Sequence, residues 1–226
     1  AKNKKIYLVE DAAEAFMSKL DKDYYGTFGQ IGCFSFAPNK IITTGQGGLV
    51  VTNDLKIYKK LLLFKNQGRV GKTSGGGDDR YLSAGFNFKI TDLQAALGLV
   101  QMKTLNNRIK KLKYFNNFYK KNLIQNKNFK LFNFDISRGE IPLWSDVYCI
   151  KTAKLLNYLK KNNIHGRSFW KPINTCEPYK QSFRGLKNSK LLFNKLMWLP
   201  SSQNINLKDL KNICELINKF IKKNLS

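Results

Sequence analysis

The chain has 226 residues, 40 of them Lys or Arg against 15 Asp or Glu, a net charge of +25, and is 42% hydrophobic; that allows one large domain or two small ones around a sizeable core. No run of about 18 apolar residues occurs, so no transmembrane helix is expected, and the N-terminus carries no signal-peptide pattern. Four scattered cysteines without a CxxC pair, and a single histidine, His165, argue against a metal site or a disulfide framework and for reduced thiols.

In chain order, residues 5–9 (KIYLV) read as a buried strand ending at Glu10 and Asp11. The chain begins without Met and enters this strand almost at once, so it reads as a fragment of a longer protein. A turn follows near DKDYYGTFG. Residues 33–36 and 48–52 read as two more strands, and Asn53-Asp54 as a turn or helix cap. Residues 55–66 fit a helix stopped at Gly68. VGKTSGGGDDRYLSAG is loop, either a surface loop or one that folds over a partner's site.

Thr91 reads as the N-cap of a helix running to about residue 123, with Leu93, Ala96, Leu97, Val100 and Leu105 at helical spacing. Its length suits a connection between two domains, placed at 1–105 and 106–226. Residues 129–134 and 147–150 suggest strands; 152–162 and 206–225 suggest amphipathic helices. The alternation gives an α/β class with a smaller C-terminal α+β part.

Lysines are spread through segments such as KKLKYFNNFYKKN and mixed with asparagine. That is a compositional bias more than a focused patch. A non-catalytic basic protein binding nucleic acid or another anion is therefore the alternative reading, recognisable by salt-dependent DNA affinity.

The segment CFSFAPNKIITTGQGG, residues 33–48, carries the chemistry. Lys40 follows a strand-like aromatic run, with Phe34, Phe36, Ile41 and Ile42 as apolar neighbours. An amine so placed is a candidate to form an imine with an aldehyde. Asp11 ends a different strand, and ligands of α/β sheets gather at the carboxyl ends of strands. Ser35 and the following glycines offer donors to a phosphate. Aldehyde, phosphate and a group wanting a carboxylate together describe pyridoxal phosphate. The same pattern is compatible with a plain strand–turn–strand unit in which Asp11 caps the next segment and Ser35 bonds backbone.

VEDAAEAF, GTFGQIGCFSFAPNKIITTGQGGLVVTND and GFNFKITDLQAALGLVQMKTL resemble the DegT/DnrJ/EryC1/StrS sugar aminotransferases. The likeness runs from about residue 5 to the C-terminus. NNIHGRSFWKPI, EPYK and LPSS are similar to the C-terminal domain of the branch acting on nucleotide-linked 4-keto-6-deoxy sugars. The resemblance implies a PLP-dependent transferase of fold type I (aspartate aminotransferase-like), here a partial large domain with a mostly parallel sheet plus a small C-terminal α+β domain.

It also implies roles. Lys40 matches the lysine that attaches the cofactor as an imine, and Asp11 the partner of the pyridinium nitrogen. Ser35 matches a phosphate-binding serine, and Asn87 an asparagine reaching the phosphate in the neighbouring subunit; without that role Asn87 is an ordinary loop asparagine. Glu14 stands where the family usually has Gln or His, Lys89 where it often has Arg, and the usual three glycines read Gln46-Gly47-Gly48. Arg167, Trp170 and Lys171, with Phe169, are candidates for the sugar-nucleotide pocket, or an aromatic group packed in the small domain. The implied reaction moves an amino group from glutamate to a nucleotide-linked keto-6-deoxy sugar, with position 4 favoured. Its setting is cytoplasmic synthesis of lipopolysaccharide or other surface glycans, by a homodimer with shared sites. One branch replaces the lysine with histidine and dehydrates; the retained Lys40 favours transamination but leaves an inactive or regulatory PLP-binding relative as an alternative. The family's N-terminal part, which brings a helix N-terminus to the phosphate, is not matched.

Overall fold

The computed structural model describes residue 4 and residues 6–70 and 80–225. The chain divides into two compact units, Ala1–Asn107 with Ser137–Ile141, and Arg108–Ile136 with Pro142–Ser226.

The first unit contains β1 (Val9–Asp11), β2 (Lys19–Leu20), β3 (Asp23–Tyr24), β4 (Ile31–Ser35), β5 (Gly48–Val51), α1 (Leu55–Lys65), β6 (Arg69–Val70), β7 (Arg80–Tyr81) and the start of α2 (Asp92–Asn122). Strand β4 is central. It pairs in parallel with β1, Asp11 opposite Cys33, and antiparallel with β5, Ser35 opposite Gly48. The sheet is therefore mixed among the described residues, where the sequence reading had it mostly parallel. The first strand is also shorter than the KIYLV run. The Gln30 side chain takes the Leu8 N–H at 2.7 Å, and the Gln30 N–H reaches Leu8 O. The pairing with β4 accordingly starts at Val9.

Glu10 is a structural acid. Its carboxylate accepts the N–H groups of Gly26 and Gly29 at 2.8 and 2.6 Å, fixing the turn that leads into β4. Gly26 has φ +86°, and a Cβ there would meet the Phe34 ring at 2.4 Å, so a side chain is excluded twice over. β2 and β3 form a small hairpin that the sequence reading left as a turn. Arg138 grips Asp21 bidentately, with both contacts at 2.8 Å, and this pair holds the Asp21 carboxyl below its ordinary range.

Asp54 caps α1 by accepting from Lys56 and Ile57 N–H. The loop at 69–85 has paired ends, β6 with β7; residues 71–79 lie outside the described residues. Thr91 opens α2 through a reciprocal pair: its N–H donates to Gln94 Oε1 at 3.0 Å, and Gln94 N–H donates to Thr91 Oγ1 at 3.3 Å. Leu93, at 85% exposure, with Leu99, Val100 and Met102, leaves the first half of α2 apolar on its surface.

The second unit adds β8 (Phe129–Leu131), β9 (Ser145–Cys149), α3 (Thr152–Lys161), β10 (Arg167–Ser168), α4 (Lys187–Leu192), β11 (Leu196–Leu199) and α5 (Leu207–Asn224) to the rest of α2. Its sheet has the order β10-β11-β9-β8, antiparallel throughout. Alternate residues Phe129, Leu131, Val147, Cys149, Met197 and Leu199 are buried, as period-two side chains on one packed face must be. They meet Phe115 and Tyr119 of α2, Leu155 and Leu159 of α3, and Leu210, Ile217 and Ile221 of α5. Asn206 and Asp209 form the capping box of α5.

The other face of this sheet gathers all three tryptophans of the chain. Trp198 stacks on Trp144 at 5.0 Å between centroids and meets Trp170 edge-on at 5.3 Å. Arg167 lies over both Trp170 and Trp198, at 5.1 and 5.8 Å. β10 and β11 were missed in the sequence because two- and four-residue strands carry too few alternations to show a period.

Candidate active site

The site residues of the first unit come from the carboxyl ends of β1 and β4. Because these neighbours are parallel, both strands deliver their last residues to the same edge of the sheet. Asp11 closes β1 and is exposed; its Oδ1 accepts Ala13 N–H at 3.1 Å. Phe16 then packs edge-on against Phe34 and Phe36, both at 5.5 Å. These two contacts fold the segment after β1 back over the end of β4 and carry Glu14 with it.

Ser35 closes β4, and its Oγ accepts Ala37 N–H at 3.2 Å. The chain turns through Pro38 and Asn39, with Lys40 N–H donating to Ala37 O. Ile41 and Ile42 are buried beyond and anchor the turn. Lys40 keeps only 10% of its side chain exposed, and its amine donates to Glu14 Oε1. The structure therefore brings Lys40 and Glu14 into contact, with Asp11 and Ser35 at the adjoining strand ends.

The glycine segment is clamped rather than loose. Thr44 Oγ1 and Gln94 Nε2 both donate to Gln46 O, at 2.7 and 3.0 Å. Gly47 has φ +144°, open to glycine and rare for other residues. Gln94 was not singled out in the sequence, although the Thr-x-x-Gln spacing of a capping box marks it. Asn87 is exposed, pairs with Asn66 by an isolated bridge, and lies between Phe86 and Phe88, stacked at 4.9 Å. Lys89 is exposed.

In the second unit a cavity of about 600 Å³ is lined by Ser168, Phe169, Trp170, Lys171, Phe193 and Asn194 among others. Trp170 and Lys171 thus share one hollow, mostly apolar with an ammonium on its wall. Arg167 does not line it and is engaged with the two indole rings instead. All four cysteines are free thiols. Among the described residues no cluster of His, Cys, Asp and Glu could hold a metal ion, and no helix is long and apolar enough to cross a membrane.

An α/β unit with an amine and an acid in contact beyond parallel strand ends, together with an α+β unit, has the architecture of the fold type I transferases. Residues 1–218 match the DegT/DnrJ/EryC1/StrS aminotransferase family, and the chain belongs to it. It is 33% identical to GDP-perosamine synthase of Escherichia coli O157:H7 over 224 residues, covering 97% of this chain and 60% of that protein. A UDP-4-amino-4,6-dideoxy-N-acetyl-beta-L-altrosamine transaminase of Campylobacter jejuni is 29% identical, with 99% and 61% covered. Among solved structures, Helicobacter pylori PseC, an aminotransferase involved in the biosynthesis of pseudoaminic acid, superposes with a TM-score of 0.86. The two are 27% identical, and 98% of this chain and 61% of that one are covered. A family aminotransferase from Brucella abortus, 23% identical with a TM-score of 0.80, covering 97% and 58%, shares the fold. The chain spans about 60% of the length of these relatives.

Proposed function

We propose that the protein is a pyridoxal-phosphate-dependent aminotransferase that moves an amino group from glutamate to position 4 of a nucleotide-linked keto-6-deoxy sugar, for surface glycan synthesis. The observation carrying this reading is the enclosed amine of Lys40, which follows the end of β4 and contacts Glu14 from the segment after the adjacent parallel strand β1. The named relatives act in nucleotide-sugar amination and support the substrate class.

The donor set fits the cofactor. Lys40 offers an amine for the aldehyde, Asp11 an exposed carboxylate, and Ser35 a hydroxyl whose oxygen already accepts a backbone N–H, which leaves its hydrogen to donate to a phosphate oxygen. When bound, pyridoxal phosphate supplies an electron sink for the carbon that loses its proton. Asp11 holds the proton on the ring nitrogen, since an anion favours a nearby cation. The amine of Lys40 would move a proton to and from the reacting carbon, a role worth about 10² to 10⁴ in rate. Trp170 and Lys171 receive the sugar nucleotide in their cavity. Arg167 sets the Trp170 ring by stacking on it, so we assign it a supporting part rather than a phosphate contact.

We place this activity in the cytoplasm, in a homodimer in which Asn87, exposed in this chain, serves the partner's phosphate. Residues 1–105 form part of the cofactor-binding domain and residues 106–226 the small domain. The test is borohydride reduction of the full-length protein after incubation with pyridoxal phosphate, followed by peptide mass analysis. The Lys40 peptide should carry the reduced cofactor; an unmodified Lys40 peptide in a cofactor-loaded sample overturns the reading.

A further inference from the structure

The contact between Lys40 and Glu14 has a consequence for how an aldehyde can reach this amine. Nζ donates to Glu14 Oε1, from a side chain that is 10% exposed to one that is 55% exposed. Charge-assisted bonds of this kind are about twice as strong as neutral ones. They gain further where one partner is shielded from water. An ammonium has three donors and no lone pair, so the nitrogen in this pair cannot attack a carbonyl.

We propose that Glu14 is a positioning residue that latches Lys40 as an ion pair in the cofactor-free protein, so that attachment of an aldehyde cofactor at Nζ must first break this pair. The proposal rests on the reading of Lys40 as the attachment point. The step balances simply. The ammonium first releases its extra proton to bulk solvent. Nζ then bonds to the aldehyde carbon, and the aldehyde oxygen leaves as water with the two remaining amine protons. Glu14 ends the step as a carboxylate no longer bonded to Nζ.

The same contact explains why the latch acts locally. Glu14 lies three residues beyond Asp11, and Lys40 five beyond Ser35. The pair therefore ties the segment after β1 to the segment after β4 across the mouth of the two strand ends. Phe16 secures the first segment independently, through Phe34 and Phe36, so removing the charge of Glu14 should not unfold the turn.

The test is Glu14→Gln in the full-length protein, which keeps the length and an acceptor oxygen while removing the charge. Growth of the visible absorbance of the lysine adduct is followed at one neutral pH with limiting aldehyde. Two probes are used, pyridoxal phosphate and pyridoxal without its phosphate, and the Lys40 peptide is checked by mass after borohydride reduction. Both probes should load about threefold or more faster on the variant, the scale expected for one ion pair lost at a half-exposed site. Acceleration confined to pyridoxal phosphate would mean that Glu14 merely repels the phosphate charge, and would overturn the latch. Equal rates with Lys40 modified in both proteins would overturn the latch and leave the attachment reading standing. An unmodified Lys40 in both would overturn the attachment reading and the latch with it.

Discussion

Asp11 stands directly opposite Cys33 in the parallel register of β1 and β4, and the next N–H, that of Ala12, donates to Cys33 O at 2.8 Å. The last residue of β1 is thereby fixed two residues before the end of β4, which is what places an acid beside the Ser35–Lys40 turn. Asp11 also accepts Ala13 N–H, so it has a local structural use as well as a proposed chemical one. Asp11→Asn separates the two. Asparagine caps about as well as aspartate, and the denaturation free energy should change by less than about 0.5 kcal/mol. Transamination should fall about a hundredfold, the scale for losing one placed electrostatic group. Denaturant titration and steady-state kinetics on the full-length protein check the pair of outcomes.

Lys40→Arg keeps a cation for Glu14 but provides no amine that can form an imine. Covalent attachment of pyridoxal phosphate should be lost, and activity should drop by about 10² to 10⁴ or more. The thermal midpoint of the cofactor-free protein should stay close to that of the parent. Absorbance spectra and a melting curve measure these.

Thr91 and Gln94 satisfy one another's N–H groups at the start of α2, and Gln94 also holds Gln46 O. Thr91→Ala should destabilise the first unit by about 0.5 to 2 kcal/mol. Because the same turn clamps the glycine segment, hydrogen exchange at residues 44–48 should quicken along with that at the first turn of the helix. Unchanged exchange at 44–48 would show that the clamp does not depend on the cap.

Burial raises the Cys214 thiol to about 12, and raises Cys149 and Tyr119 as well. Groups whose pKa is higher in the folded chain keep protons that the unfolded chain releases. Stability from these residues is complete below about pH 8.5 and is lost as the pH rises toward 12. Urea midpoints measured from pH 8 to 11 should fall steadily, and Cys214→Ala should flatten the decline. A midpoint indifferent to alkali would contradict the burial of these groups.

How much of this was legible depended on element length. Long helices announced themselves: α2 and α5 carry a helical period over many residues, and Thr91 marked the start of α2. The Lys40 turn was readable because strand, serine, lysine and glycines follow in a fixed order. Short strands were not, since β2, β3, β6, β7 and β10 have two residues each, too few to show alternation. KIYLV looked like one buried strand because apolarity was its only signal, whereas Ile6, Tyr7, Leu8 and Val9 are exposed and the ladder with β4 starts at Val9. The Lys40–Glu14 contact could not be read either. It depends on Phe16 folding one strand end over another, a contact between residues far apart in sequence. Arg167 was grouped with Lys171 by proximity in the chain, but β10 sends the two to different surroundings.

The three indoles clustered on the outer sheet face of the second unit make that unit the sole source of tryptophan emission, since residues 1–107 and 137–141 contain none. In this chain, fluorescence excited at the red edge will thus follow melting of the second unit and stay blind to the unit that bears Lys40. A sugar nucleotide entering beside Trp170 should quench or shift that signal, which gives a dye-free titration of substrate independent of any change at the amine.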